Sequence, residues 1–119
     1  GHDFLRHIER TRVIVHLLDI APMDESNPAD NYRLIREELR QYSEALADKP
    51  ELVVLNKADL LPPEEAQEVL KRIARELDLL PGRDILLISA AAREGLKPLL
   101  ERLWAMLHPA DFKPEGWAG

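Results

Sequence analysis

The chain of 119 residues is long enough for one compact domain and too short for two. Its 45% hydrophobic and 32% charged content is that of an ordinary folded protein, and a net charge of −6 argues against a main binding surface for nucleic acid or an anionic membrane. There is no cysteine, which excludes disulfides and thiolate metal sites, and no apolar run approaches the roughly 18 residues of a membrane span.

The chain opens with Phe4, Leu5 and Ile8 at helical spacing, but with no cap and no secretory pattern. This reads either as a cut through a larger protein or as a frayed first helix, and the expected location is the cytoplasm. Residues 13–19 form an apolar run, predicted to be a buried strand that ends at Asp19. His16 lies inside it and is read as a satisfied core residue rather than a ligand. Residues 20–29, with two prolines, Ser26 and Asn27, read as a loop. Asp30 or Asn31 is placed to cap a helix whose stripe is Tyr32, Ile35, Leu39, Tyr42 and Leu46. The two tyrosines fit that stripe better than a stacking platform for bases. Lys49-Pro50 ends the helix.

Leu52-Val53-Val54-Leu55 has no polar alternation and is predicted to be a central buried parallel strand, opened by Glu51. It delivers Asn56, Lys57, Ala58 and Asp59 to its carboxyl end, where open α/β sheets bind their ligands. After Leu60-Leu61, Pro62-Pro63 with Glu64 and Glu65 signals a helix start, which accounts for that acid pair better than catalysis does. Ala66, Val69 or Leu70, Ile73 and Leu77 make the stripe, and Pro81-Gly82 is the expected stop. A third strand over residues 84–88 ends in Ser89-Ala90-Ala91-Ala92. Gly95 then precedes a helix with Leu96, Leu99, Leu100, Leu103, Trp104 and Leu107, apolar over an arc wide enough to need a sheet face. Pro109 stops it, and residues 110–119, with Trp117, read as a linker or tail. Strands alternating with helices predict an α/β fold: a three-stranded parallel sheet with flanking helices in three layers.

The residues after the second strand suit guanine. Its N1–H and exocyclic N2 amine are two donors on one edge, and the Asp59 carboxylate can accept both. Adenine lacks both donors. At about 1.5–3 kcal/mol for each charge-assisted bond, the preference for guanine is on the order of 10²–10⁴. Asn56 can bond the ring's other edge or brace the loop. The Lys57 stem can lie along the base. The Ala90 N–H can donate to O6, and small residues at Ala90 and Ala91 let the backbone approach. The bland reading of Asn56 and Asp59 is a turn that caps the next helix. No Gly-x-x-x-x-Gly-Lys-Ser/Thr loop occurs, and the five glycines build no phosphate cradle. No catalytic residue and no metal ligand is assigned in this chain.

Asn56-Lys57-Ala58-Asp59 and Ser89-Ala90-Ala91 resemble the base-recognition motifs of translation-factor-type P-loop GTPases. Gly1-His2-Asp3-Phe4-Leu5-Arg6-His7-Ile8-Glu9-Arg10-Thr11 resembles the helix after the second switch of the Obg (CgtA) GTPases. Asn27-Pro28 through Tyr32, with Ile35-Arg36-Glu37-Glu38-Leu39 and Tyr42, resembles that family's next helix. The resemblance implies that residues 1–108 are the second half of a P-loop GTPase domain and that residues 109–119 are a linker or tail. It implies GTP and GDP as ligands, with the phosphate loop, switches and Mg²⁺ ligands upstream. It implies a full-length GTP hydrolase acting in large ribosomal subunit assembly, with a glycine-rich domain before this one. Autonomous turnover, membrane contact and direct nucleic-acid binding are not expected of the segment. In the family sheet residues 13–19 adjoin the phosphate-loop strand, so the isolated segment is expected to be marginally stable or to self-associate. The alternatives are a non-catalytic interaction module derived from a GTPase fold and a Rossmann-like domain of an unrelated enzyme.

Overall fold

The computed structural model describes residues 11–108. The expected first helix around Phe4 to Ile8 and the tail over residues 109–119, with Trp117, lie outside the described residues. Three parallel strands, β1 (Ile14–Asp19), β2 (Glu51–Asn56) and β3 (Ile85–Leu87), form one sheet in the order β1-β2-β3. Helices α1 (Pro28–Tyr42), α2 (Glu44–Ala47) and α3 (Pro63–Leu77) alternate with the strands, and α4 (Leu96–Leu107) closes the described chain.

The central strand is central because all four of its middle residues are apolar and can be covered on both faces. Leu52, Val53, Val54 and Leu55 are each at most 1% exposed. Val53 and Leu55 point into a core with Tyr32 of α1 and Leu70 and Ile73 of α3. Leu52 and Val54 point the other way, into a core with Leu86, Ile88 and the Leu96, Leu99 and Leu103 face of α4. The Leu96, Leu99 and Leu103 face of α4 thus covers β2 and β3, giving three layers with the sheet in the middle, whereas Leu100 and Leu107 of the expected apolar arc stay exposed.

The sequence treated residues 13–19 as fully buried, and here the structure differs. In β1, Ile14, His16 and Leu18 are buried, whereas Val15 and Leu17 are 43% and 60% exposed. The register sets Val15 beside Leu52 and Leu17 beside Val54, on the face that α4 covers. That helix packs on β2 and β3 and leaves the outer strand bare. His16 is buried, and its Nε2 lies 2.9 Å from Glu51 Oε2. Glu51 also accepts from the Tyr32 hydroxyl and, at 3.1 Å, from Arg36. Burial would raise the Glu51 pKa, but the bonds from His16 and Tyr32 and the charges of His16 and Arg36 outweigh it and hold the carboxyl below its ordinary range. Burial and the Glu51 carboxylate push the Tyr32 phenol above its own. This cluster ties α1 to the amino-terminal end of the sheet.

Helix boundaries depart from the sequence reading at three places. Asn27, not Asp30 or Asn31, caps α1: its Oδ1 accepts from Ala29 N–H at 2.8 Å, and Pro28 takes the first turn. The stripe through Leu46 is interrupted at Ser43, whose extended backbone (φ −166°) splits α1 from α2, yet Leu39 and Leu46 meet Ile14 in one cluster. Helix α3 ends before Pro81-Gly82, because Asp78 turns left-handed at φ 56° and Leu79 N–H closes on the Ala74 carbonyl at 2.8 Å. The third strand is also shorter than the predicted 84–88.

Candidate functional site: a rim built by two turns

The site lies where β2 and β3 end. Strand β2 finishes at Asn56. Lys57 then takes a left-handed conformation (φ 67°, ψ 34°), and a short 3₁₀ turn, Ala58–Leu60, carries Asp59. A non-glycine residue there is strained and must be held by its surroundings. Here the Ala58 N–H donates to the Ile88 carbonyl at 3.1 Å, and the Leu60 N–H to the Lys57 carbonyl at 3.0 Å. The Ile88 N–H donates to the Leu55 carbonyl at 2.8 Å. The two strand ends are therefore stitched together just before their turns diverge.

Side chains from one turn then hold the other. Asn56 Oδ1 accepts from the Ala90 N–H at 3.0 Å. The Ser89 hydroxyl donates to Asp59 Oδ1 at 2.7 Å, and its oxygen accepts from the Ala92 N–H at 3.1 Å. Ser89 is completely buried, while Asp59, Ala90 and Ala91 are exposed. The structure thus brings Asn56, Lys57, Ala58 and Asp59 together with Ser89, Ala90 and Ala91 on one rim. Of the two roles open to Asn56, bracing the loop is the one its Oδ1 performs. The Ala90 N–H, expected to meet O6, donates to Asn56 Oδ1.

Asp19 escaped the sequence reading as a site residue. It ends β1 in register with Asn56, and its Oδ2 lies 3.1 Å from Lys57 Nζ. Both side chains are nearly half exposed, so the pair contributes little stability, about 0–1 kcal/mol. Its effect is to orient the lysine stem. A strand that ends in an acid at the same rim as Asn56 was the available signal. A groove of about 540 Å³ runs from Lys57 and Asp19 past Leu17 to Asn31 and Ile35, along the open side of β1.

Among the described residues no cluster of histidine, aspartate or glutamate is arranged to hold a metal ion. No helix among them is long and apolar enough to cross a membrane.

No family model matches the chain. It is 50% identical over 107 residues to a protein named GTPase Obg from Synechococcus sp. (strain JA-3-3Ab), a match covering 90% of this chain and 26% of that protein. It is 46% identical over 114 residues to GTPase Obg from Synechococcus sp. (strain JA-2-3B'a(2-13)), covering 96% of this chain and 31% of that protein. The chain therefore spans about a quarter to a third of the length of the curated relatives it matches.

Proposed function

Because the chain belongs to the GTPase Obg family over the stretch it shares with these relatives, we propose that it is the guanine-reading half of an Obg-type GTPase domain. The Ser89–Asp59 bond carries the reading, since it fixes the carboxylate of one motif with the hydroxyl of the other at a sheet rim. Asp59 accepts guanine's N1–H and N2 amine. One bond from Ser89 leaves a carboxylate with lone pairs for both. O6 meets the Ala90 N–H, sharing that donor with Asn56 as a three-centre bond. Lys57, anchored by Asp19, lays its stem along the base.

The parent binds and hydrolyses GTP, in this reading, with Mg²⁺ and the phosphate loop supplied by residues outside the segment. It acts in large ribosomal subunit assembly in the cytoplasm. The segment supplies base recognition and no phosphoryl chemistry. The open side of β1, with Val15 and Leu17 bare, supports an arrangement in which the upstream half of the domain packs there. Residues 1–108 then form the partial GTPase domain and 109–119 the linker. Family membership sets aside the Rossmann-like domain of an unrelated enzyme. A docking module without turnover stays as the second reading, on the strength of the same bare edge.

Calorimetry with GDP and with ADP tests the proposal: GDP binds and ADP does not. Equal affinity for the two would remove it. A phosphate-loop motif in the coding sequence upstream of residue 1 separates the GTPase half from the docking module, which needs none.

A further inference from the structure

We propose that Gly95 is a positioning residue for the base-reading turn: the absence of a side chain there lets the chain pass tightly under the end of β3, which sets where the Ser89 hydroxyl and the Ala90 N–H stand. This rests on the guanine reading of residues 89–91 and adds to it a residue outside both motifs.

A Cβ at Gly95 would lie 2.5 Å from the Leu87 carbonyl oxygen and 3.2 Å from both Cα and Cγ2 of Ile88. The first distance is well inside van der Waals contact, and its partner is backbone. Gly95 also has φ 77° and ψ 4°, a conformation that costs any L residue strain. Neither neighbour can retreat freely. Ile88 is bonded on both sides, through its N–H to Leu55 and through its carbonyl to Ala58. Moving it pulls on the segment that carries Asn56 and Asp59.

The alternative is for Gly95 to move, and its predecessor transmits that displacement to the turn. Glu94, its predecessor, exchanges both backbone hydrogen bonds with Ser89, each 3.0 Å. Arg93, left-handed at φ 57°, donates to the Ala90 carbonyl at 3.3 Å. The loop from Ser89 to Glu94 is thus closed on itself. A push at its end shifts Ser89 and Ala90 together, and with them the bonds to Asp59 and Asn56.

Gly82 provides the control. It has φ 86°, and a Cβ there meets nothing within 4 Å. Gly82→Ala and Gly95→Ala therefore carry similar conformational strain, and only the second collides. The full chain and both variants are compared by the amide resonances and hydrogen exchange of Ala90 and Ala92, and by calorimetry with GDP and with ADP. In Gly95→Ala the two amides shift and exchange faster, and the Kd for GDP rises about tenfold above that of Gly82→Ala, the loss of roughly one hydrogen bond. Gly95→Asn, with the same Cβ but a better tolerance of positive φ, replaces the alanine variant should that one fail to fold. Amides and GDP affinity in the Gly95 variant equal to those of Gly82→Ala would overturn the proposal. A parent chain that fails to prefer GDP over ADP would overturn the guanine reading instead, and the amides alone would then decide whether Gly95 sets the turn.

Discussion

The Ser89 hydroxyl reaches the Asp59 carboxylate across 2.7 Å from a position that solvent does not reach, while the carboxylate itself stands exposed. A buried donor thus fixes an exposed acceptor. That is the arrangement a recognition group needs when its partner arrives from solvent: its orientation is settled before binding, so less entropy is lost on binding.

Asp59→Asn replaces two acceptor oxygens with one acceptor and one donor. Affinity for GDP should fall by about 10²-fold or more, and xanthosine diphosphate, whose C2 carbonyl accepts from the new amide, should bind better than GDP. Calorimetry with the two nucleotides checks this. Unchanged GDP affinity would deprive Asp59 of its base-reading role.

Ser89→Ala removes the buried donor and leaves the Ala92 N–H without its acceptor. Guanine affinity should fall about tenfold, and stability by roughly 1–2 kcal/mol. In a double-mutant cycle with Asp59→Ala, which removes the acceptor, the two losses should be non-additive, since each breaks the same bond. Strict additivity would show that the hydroxyl acts independently of the carboxylate.

Glu51 predicts a pH dependence unrelated to the rim. Its folded pKa is depressed, so the unfolded chain binds the proton more tightly, and stability is lost as pH falls from the ordinary carboxylate range, about 4.5, through the folded value. Tyr32 acts oppositely: its folded pKa is raised, so stability falls as pH rises above about 10, where the unfolded phenol ionises first. Tyr32→Phe should reduce the alkaline loss and cost about 1–3 kcal/mol at neutral pH, by leaving a half-buried carboxylate oxygen unpaired. Thermal melts across pH on both proteins read this out. An alkaline limb as steep in the variant as in the unmutated chain would count against the assignment.

The bare side of β1 predicts association of the isolated chain. Val15 and Leu17 expose apolar surface beside a strand edge that pairs with no other strand among the described residues. Sedimentation should show a concentration-dependent average mass, and Leu17→Lys should shift it towards the monomer. A sharp, concentration-independent melt by a monomer would contradict this.

The sheet was readable from Leu52 to Leu55 because four adjacent apolar residues can be buried only with cover on both faces. The same rule failed in β1. An apolar run reports what a strand tolerates, not whether a helix arrives to cover it, and α4 stops short of Val15 and Leu17. The break at Ser43 was hidden because Leu39, Tyr42 and Leu46 keep helical step across it. The early stop of α3 was hidden because Gly82 is a stronger local signal than a left-handed Asp78. At the site, Asn56 and Asp59 were legible from their place after a buried strand. The bonds that fix them were not, since Ser89 lies thirty positions from Asp59 in sequence and only the parallel pairing of β2 and β3 brings the two together.

A structure of the chain soaked with GDP tests base recognition most directly. The Asp59 carboxylate should accept from N1 and N2 of the base at about 2.7–2.9 Å while keeping its bond from Ser89, with O6 on the Ala90 amide. A bound guanine whose N1 edge faces away from Asp59, or a nucleotide lodged elsewhere on the chain, would contradict it.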